Sequence, residues 1–231
     1  MLYQVREESM NLDKTVKLIR YIGGIPKSLY VNFRLLPFSQ AIKLPIIVSR
    51  KTKLRSLSGK AHLKKIKTGI VRIGFGGTDM MDYSYERTIL KITGDIYFNG
   101  KTKIGVGARI MVSGKLTLGD NFDITGNAMI ICAKEISIGN NTMIAWQSIL
   151  MDSDQHSIFD ATAKRINEDK PIFIGDNVWI GAKSFILKGA KIPNGSIVGA
   201  NSTISKSFNT QKSIIAGNPA KIIKENIQWN H

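Results

Sequence analysis

The chain lacks paired cysteines, because Cys132 is the only cysteine among its 231 residues. This excludes an internal disulfide framework and fits a reducing compartment. Long apolar runs are also absent: stretches such as residues 45–48 (PIIV) fall far short of the ~20 residues of a membrane-spanning helix. The polar N-terminus lacks the basic patch and apolar core of a secretory signal. Together these absences predict a cytoplasmic protein.

Acidic residues are scarce and unevenly spread. The chain has 17 Asp and Glu against 33 Lys and Arg, which gives a formal net charge of +16. Between Asp13 and Asp79 there are fifteen Lys or Arg and no acidic residue. Such a block predicts a negatively charged partner, with general solubility as the alternative. No helix-turn-helix, zinc or RNA-binding signature accompanies the charge, so we expect no nucleic-acid partner.

The dominant positive feature is a repeat of six residues. Four similar phrases carry it: IGVGARI at 104–110, LGDNFDI at 118–124, IGNNTMI at 138–144 and IGDNVWI at 174–180. The last phrase begins an unbroken series of β-branched residues at every sixth position: Ile174, Ile180, Ile186, Ile192, Val198 and Ile204. A period of six matches neither an α-helix nor a simple exposed strand.

This period predicts a triangular coil with three hexads per turn and one flat parallel strand on each face. The aliphatic side chains would stack inside, so that each coil covers the core of its neighbour. The small residues and the Asp-Asn or Asn-Asn pairs of the phrases are predicted to occupy the corners. A corner requires a tight bend or a positive φ, which these residue types tolerate.

The register is interrupted at residues 76–88, a predicted loop, and at residues 152–171. An insertion that leaves a regular solenoid is where function usually lies. The second insertion contains His156, whose imidazole can act as a general base near neutral pH. Asp154 is the candidate carboxylate partner, since it falls on the same side of an extended segment; Asp152 is the other local candidate. A solvated loop histidine is the alternative.

The hexads, the histidine in the loop and the phrase IGDNVWIG resemble the hexapeptide-repeat acyltransferase superfamily, in particular its sugar and polysaccharide O-acetyltransferases. The resemblance covers residues 66–223. It implies a left-handed parallel β-helix, an exception to the usual right-handed crossover. It also implies a homotrimer with active sites between subunits, acetyl-CoA as the acyl donor, and His156 as the catalytic base.

The resemblance implies further site residues, position by position. Asn127, which follows the LGDNF coil, matches an asparagine that contacts the acceptor sugar; a corner asparagine is the alternative. The positions that match acyl-donor contacts are Trp179, Ala182, Ala200, Ser205, Lys206, Gly217, Asn218, Pro219, Lys221 and Lys224. The two lysines suit coenzyme A phosphates. Trp146 precedes the histidine loop and is a candidate sugar-stacking residue, or alternatively a packing residue.

The predicted activity is an acetyl-CoA-dependent O-acetyltransferase acting on a sugar hydroxyl of a cell-surface polysaccharide or its lipid-linked precursor. N-acetylation of an amino sugar, another acyl donor and a non-catalytic trimeric binding protein are the alternatives. No metal is expected. Hexapeptide-repeat carbonic anhydrases need three zinc-binding histidines, whereas here only His156 lies in the right part of the chain.

The predicted fold class is all-β: a left-handed parallel β-helix with a basic N-terminal extension and a short C-terminal helix. Residues 1–65 form the extension, residues 66–206 the β-helix with its insertion at 152–171, and residues 207–231 a strand and helix that cap the stack.

In the extension, Leu12, Val16 and Ile19 predict a short basic amphipathic helix. The prolines that follow predict an irregular or extended chain. The apolar residues of the extension are expected to cover the first coil or a neighbouring subunit. The alternative is contact with an anionic membrane surface through residues 14–72, which would make the protein peripheral at the inner membrane face.

Overall fold

A computed structural model describes residues 21–77 and 81–230 of the chain. Most of its elements are short strands that pair in parallel with a strand one coil away, so that Ile130 pairs with both Ile110 and Leu150. The chain visits three flat sheets in turn and builds a triangular prism. The predicted all-β, left-handed parallel β-helix is therefore confirmed.

As far as β20, each sheet collects every third strand, and successive members of a sheet are hydrogen-bonded neighbours. Sheet A contains β1 (Ile46–Val48), β4 (Val71–Ile73), β7 (Thr102–Ile104), β10 (Phe122–Ile124), β13 (Met143–Ile144), β16 (Trp179–Ile180), β19 (Ile197–Val198), β21 (Ile214–Gly217) and β22 (Ala220–Lys224). Sheet B contains β2 (Lys53–Leu54), β5 (Ile89–Ile92), β8 (Arg109–Val112), β11 (Met129–Cys132), β14 (Ile149–Met151), β17 (Phe185–Leu187) and β20 (Thr203–Ile204). Sheet C contains β3 (Lys60–Leu63), β6 (Asp95–Phe98), β9 (Lys115–Leu118), β12 (Glu135–Ile138), β15 (Ile172–Ile174) and β18 (Lys191–Ile192).

The core is a set of aliphatic columns inside the prism. Side chains alternate along each strand, so every second one points inward and is buried. On sheet B, for example, Ile110, Ile130 and Leu150 stack in register and are fully buried. Each further coil adds one residue to every column, and burial of apolar surface therefore grows with the number of coils.

The corners carry the predicted asparagines. Asn121, Asn141, Asn177 and Asn201 all adopt positive φ values between 53° and 56°. Asparagine tolerates this left-handed conformation better than other residues with a side chain. The prediction that Asp-Asn and Asn-Asn pairs occupy the corners is confirmed.

Corner side chains also bind the backbone of the preceding coil. Asp120 accepts the N–H of Lys101 at 2.7 Å, and Asn140 accepts the N–H of Asp120 at 2.8 Å. Asp176 continues the series by accepting the N–H of Asn140 at 2.6 Å. These N–H groups leave the strand ladder at the corner, and the series supplies the acceptor that each one needs.

Three lines of corners run along the prism. We call them the AB edge, the BC edge and the CA edge, after the sheets that they join. Residues 74–77 and 81–88 leave the prism at the AB edge, between β4 and β5. Residues 152–171 leave it at the BC edge, between β14 and β15. The two excursions therefore emerge at different edges.

A helical cap closes the N-terminal end of the stack. It consists of α1 (Ile25–Leu35) and α2 (Phe38–Ala41). The buried Asn32 exchanges two hydrogen bonds with the backbone of Ile46, at 2.7 and 3.1 Å, and Ser28 Oγ accepts the N–H of Val48 at 2.9 Å. These side chains pair the outer edge of β1, which would otherwise be open to another strand.

Two predictions for the N-terminal region are wrong. The coil begins at Ile46 instead of residue 66, because the first coil has the buried positions but not the glycine and asparagine phrases. Part of the segment predicted to be irregular forms α1, since Pro26 lies in the first helical turn, where a missing N–H costs nothing. The amphipathic helix predicted around Leu12–Ile19 lies outside the described residues. No helix in the described ranges is long and apolar enough to cross a membrane.

The predicted C-terminal helix is also wrong. Residues 220–224 form β22, which pairs antiparallel with β21 after the turn at Asn218 and Pro219. Ile222 and Ile223 favour a strand, and β21 offers them an open edge. A β-hairpin therefore closes this side of sheet A.

Replacing the buried Asp152 tests how much the hydrogen bonds at a corner stabilise the fold. Its two oxygens accept the N–H groups of Ala133 at 2.7 Å and Lys134 at 2.9 Å. Replacing Asp152 with Ala leaves both donors without a partner, and we expect a loss of about 2–4 kcal/mol in the free energy of unfolding. Urea unfolding followed by circular dichroism measures it. The exposed Asp82→Ala serves as the control, and an equal loss in both variants would contradict the role of Asp152.

Candidate functional site

The insertion at residues 152–171 is a compact loop. Asp152 closes its base, because its backbone oxygen accepts the N–H of Lys170 at 3.1 Å. Further out, Ile166 donates its N–H to Ile158 at 2.9 Å, next to a bridge between Phe159 and Arg165. These bonds make the excursion a short hairpin with His156 on its outgoing arm.

Asn167 makes hydrogen bonds to residues before, at and after His156. Its Nδ2 donates to the backbone oxygen of His156 at 2.8 Å, and its Oδ1 accepts the N–H of Ile158 at 2.7 Å. Nδ2 also donates to Asp154 Oδ2 at 2.7 Å. Since Asn167 is buried, these bonds are shielded from water and restrict the path of the histidine segment.

The structure places the Asp154 carboxylate against Lys188 and Asn167 rather than against the imidazole of His156. Lys188 Nζ donates to Asp154 Oδ2 at 2.5 Å and to the backbone oxygen of Asn167 at 3.2 Å. The bond from Lys188, followed by that from Asn167, lowers the pKa of Asp154 below its ordinary value of 3.8. The carboxylate is therefore ionised at neutral pH, and in the described part of the chain Asn167 links it to the backbone oxygen of His156.

His156 itself is exposed. Its imidazole makes no hydrogen bond or ion pair with any other residue in the described ranges, so both ring nitrogens remain available to a substrate. His62, by contrast, lies 2.8 Å from Asp95 and stacks on Tyr97 at sheet C. His231 falls outside the described residues. Of the two described histidines, His156 is the one whose ring nitrogens both lack a partner in the described structure.

Several predicted site residues form a column along the AB edge. Lys183, next to Ala182, donates its N–H to Trp146 at 3.0 Å, and Asn201, next to Ala200, donates to Ala182 at 2.8 Å. Predicted residues at this edge, in coil order, are Asn127, Trp146, Ala182, Ala200 and the turn at Gly217, Asn218 and Pro219. Sequence phrases that lie far apart in the chain therefore meet along one line.

This column has the polar groups that an extended acyl donor needs. The N–H groups of Ala182 and Ala200 make no hydrogen bond with other described residues, so they can donate to amide carbonyls. Lys221 and Lys224 are exposed on β22, beyond the end of the column. The column thus combines open donors with two cations.

Trp179 lies on sheet A beside this edge, and the structure adds a partner that the sequence did not indicate. The ring of Trp229 lies 6.1 Å from that of Trp179, and its Nε1 donates to the backbone oxygen of Asn177 at 2.8 Å. No repeat connects the two tryptophans, so only the path of the C-terminal segment shows their contact.

Ser205 and Lys206 lie apart from the other predicted donor residues. They follow β20 at the BC edge, where Lys206 Nζ lies 5.5 Å from the centre of the Phe208 ring. The prediction grouped them with Ala182 and Ala200. In one chain they share an edge with Asp154 and His156 instead.

The candidate site is therefore split between two edges. The column with Asn127 follows the AB edge, whereas His156 extends from the BC edge. A strand that joins these edges spans about four residues, or ~13 Å at the rise of a β-strand. Within one chain, sheet B separates the two groups.

Sequence reasoning missed Glu86, which lies beside Asn127. A β-carbon built on Gly107 would meet the oxygen Oδ1 of Asn127 at 1.7 Å and Oε2 of Glu86 at 2.9 Å. That Glu86 oxygen is buried without a hydrogen-bond partner in the described structure. Glu86 also lines a cavity of about 200 Å³ together with Ser49, Thr52, Thr88 and Val106. Only the fold brings this loop residue to the AB edge.

The sequence model of the family described as "Bacterial transferase hexapeptide (six repeats)" matches residues 171–206. The chain is 39% identical over 140 residues to the polysialic acid O-acetyltransferase of Escherichia coli O1:K1 / APEC. That match covers 60% of this chain and 42% of the relative, so the chain spans less than half the length of that protein.

Two further proteins are similar over more of their length. The putative lipopolysaccharide biosynthesis O-acetyl transferase WbbJ of Escherichia coli (strain K12) is 32% identical over 149 residues, which cover 60% of this chain and 74% of the relative. The crystal structure of the polySia specific acetyltransferase NeuO superposes with a TM-score of 0.50 at 26% identity, covering 80% of this chain and 78% of that chain.

The ionisation of Cys132 decides whether its thiol can take part in the chemistry. It is buried on β11, and burial, followed by the charge of Asp152, raises its pKa to about 12. The thiol should therefore stay protonated at pH 7–9 (a range far below that value) and should not react with Ellman's reagent in the native protein. One equivalent should react after unfolding. The exposed Ser58→Cys is the positive control, and rapid labelling of native wild type would contradict the expectation.

Proposed function

The chain belongs to the hexapeptide-repeat acyltransferase family, and on this basis we propose that it transfers an acetyl group from acetyl-CoA to a sugar hydroxyl. The observation that carries the proposal is the exposed imidazole of His156 on a loop whose backbone Asn167 holds at residues 156 and 158, with a further bond to the Asp154 side chain. A general base must be both accessible and fixed in place, and this arrangement supplies both.

We place the acceptor in the class of cell-surface polysaccharides or their lipid-linked precursors. Two relatives are named for polysialic acid and for lipopolysaccharide biosynthesis. The unpartnered oxygen of Glu86 next to Asn127 supports an acceptor with several hydroxyl groups. A carboxylate and an amide side by side can bind two neighbouring hydroxyls of one sugar ring.

The proposed reaction is a direct transfer. His156 removes the proton from the acceptor hydroxyl, and the oxygen attacks the thioester carbonyl of acetyl-CoA. A backbone N–H stabilises the oxyanion. The carbon–sulfur bond then breaks, and the proton on the imidazolium passes to the departing thiolate. The sugar ester and free coenzyme A are the products, and no covalent acyl-enzyme is needed.

The donor is proposed to lie along the AB edge. The N–H groups of Ala182 and Ala200 would bind the amides of the pantetheine arm, and Lys221 and Lys224 would bind the phosphates of coenzyme A. Trp179 would pack against the donor beside them. Ser205 and Lys206 can contribute only from another subunit, because they lie at the BC edge.

A homotrimer would complete the site. Since one chain keeps His156 and Asn127 at opposite edges of sheet B, we propose that the loop at residues 152–171 of one subunit faces the AB edge of the next. A threefold axis parallel to the prism repeats this contact three times. Asp154, Asn167 and Lys188 are then positioning residues, because they hold the histidine segment from within its own chain.

Replacing His156 tests the chemistry. His156→Gln should lower acetyl transfer at least 100-fold, since a general base contributes a factor of about 10²–10⁴. The measurement is coenzyme A release together with the acetyl mass increment on surface glycan from complemented cells. His62→Gln is the matched control and should retain activity. Undiminished transfer by His156→Gln would refute the proposed base, and a product found only on amino sugars would replace O-acetylation with N-acetylation.

Mixing two inactive variants tests the shared site. His156→Gln and Asn127→Ala, co-expressed at equal levels, should recover about a quarter of wild-type activity. Each site takes its histidine from one subunit and its asparagine from the next, and each of these is the wild-type residue in about half of the cases. Either variant alone should be nearly inactive. If the mixture stays as inactive as its components although size measurements show mixed trimers, then His156 and Asn127 act within one chain or not at all.

A further inference from the structure

The outer surface of the N-terminal cap is apolar. On α1, Ile25, Leu29 and Phe33 follow one another at intervals of four residues and are 40–49% exposed. Phe38 on α2 is 73% exposed, and its ring lies 5.8 Å from that of Phe33. Together with the exposed Ile22 and Ile42, these side chains form one surface, which we call the cap face.

The cap face is not the side of α1 that packs on the core. That side consists of Ser28, Val31, Asn32 and Leu35, which are buried against β1. When one face of a surface helix is buried, its opposite face is normally polar and exposed to solvent. Here α1 carries large apolar groups on its outer side too. Contiguous exposed apolar surface of this kind marks an interaction site.

Charge around the cap face has a single sign. The chain contains twelve Lys or Arg and no Asp or Glu from residue 21 to residue 77. Arg34 on α1 and Lys43, two residues after α2, are exposed. Thr68 Oγ1 donates to the backbone oxygen of Lys43 at 2.8 Å, so the exposed Lys67 belongs to the segment that lies next to Lys43.

A further cation lies beside the start of α1. The guanidinium of Arg72 is 5.9 Å from the centre of the Tyr21 ring, next to Ile22. Lys27, in contrast, is held inward, because its Nζ donates to the backbone oxygens of Arg50 and Thr52 at 2.6 Å each. The exposed cations of α1 and of the segments next to it therefore include Arg34, Lys43, Lys67 and Arg72.

We propose that the cap face docks on a bilayer that contains anionic phospholipids. Leucine, isoleucine and phenylalanine side chains bordered by lysine and arginine are the combination that binds the interface between acyl chains and head groups. The acyl region would take the apolar groups, while lipid phosphates would attract Arg34, Lys43, Lys67 and Arg72. A protein partner would need an acidic surface around an apolar centre, whereas any anionic bilayer has negatively charged head groups above an apolar interior.

The position of the cap face supports a flat partner. Among the described residues it lies furthest out at the N-terminal end of the prism, beyond β1, and the C-terminal hairpin lies at the other end. In the proposed trimer, rotation about an axis parallel to the prism would place three such faces in one plane. Three contacts on one bilayer would bind far more tightly than one.

Vesicle co-sedimentation tests the proposal with the full chain. The probes are vesicles of phosphatidylcholine with and without phosphatidylglycerol, and neither contains a sugar acceptor or acetyl-CoA. Wild type should sediment with the phosphatidylglycerol vesicles at low ionic strength and be released as salt screens the charges. It should bind pure phosphatidylcholine at least about tenfold more weakly. Because no acetyl transfer is measured, the result does not depend on the proposed activity.

Matched variants separate the apolar from the ionic contribution. Phe33→Ser with Phe38→Ser should reduce partitioning at least about tenfold. The control is Phe159→Ser, at a phenylalanine 58% exposed on the histidine loop, which should bind like wild type. Arg34→Gln, Lys43→Gln and Lys67→Gln together should weaken binding about tenfold or more. Lys164→Gln, Lys191→Gln and Lys212→Gln change the net charge equally and should have a much smaller effect.

Three outcomes would overturn the proposal. The first is that wild type fails to sediment with anionic vesicles at low salt. The second is that the cap variants, with unchanged circular dichroism and thermal unfolding, bind as well as wild type. The third is that Phe33→Ser with Phe38→Ser alters the oligomeric mass in light scattering while vesicle binding persists, which would make the cap face a subunit interface.

Discussion

In-register hydrogen bonding between successive coils is the constraint on which this structure depends. Each strand pairs with the strand one coil away, so that Ile130 is held between Ile110 and Leu150 and cannot shift alone. The core columns, the corner asparagines and the series of corner carboxylates all follow from that register. Chain that does not fit a hexad must leave the prism at a corner, and both large excursions do so.

The same register explains how a rigid scaffold can hold a precise site. Residues 156 and 167 lie on opposite arms of the histidine loop, and both arms are fixed to strands of the same coil, β14 and β15. Lys188, one coil further on, anchors Asp154 and thereby Asn167. The histidine segment is thus tied to two coils, although it lies outside the prism. The predicted site residues on the AB edge are positioned by the same ladder, along the opposite edge of sheet B.

The repeat phrases were enough to predict the fold between β7 and β20, because period six and corner asparagines leave few other structures. They were not enough for the first coil, where buried residues such as Thr52 and Leu57 follow no phrase. Residues 220–224 formed a strand because β21 offered an edge, which no local pattern indicates. In the site, His156 could be found from the lost register. Asn167 and Lys188 could not, since their roles arise from contacts across 11 and 34 residues of sequence.

Because the coils are evenly spaced, the number of coils sets the distance between the cap face and the histidine loop. The histidine loop leaves the fifth coil, four steps of ~4.8 Å from the first coil, and therefore stands about 20 Å above the level of β1. If the cap face rests on a bilayer, this height determines which acceptor sugars can bind. A sugar several units away from its lipid anchor would reach the site, whereas a sugar at the membrane surface would not. Gain or loss of a single coil would move that reach by one step while leaving the chemistry of the site untouched.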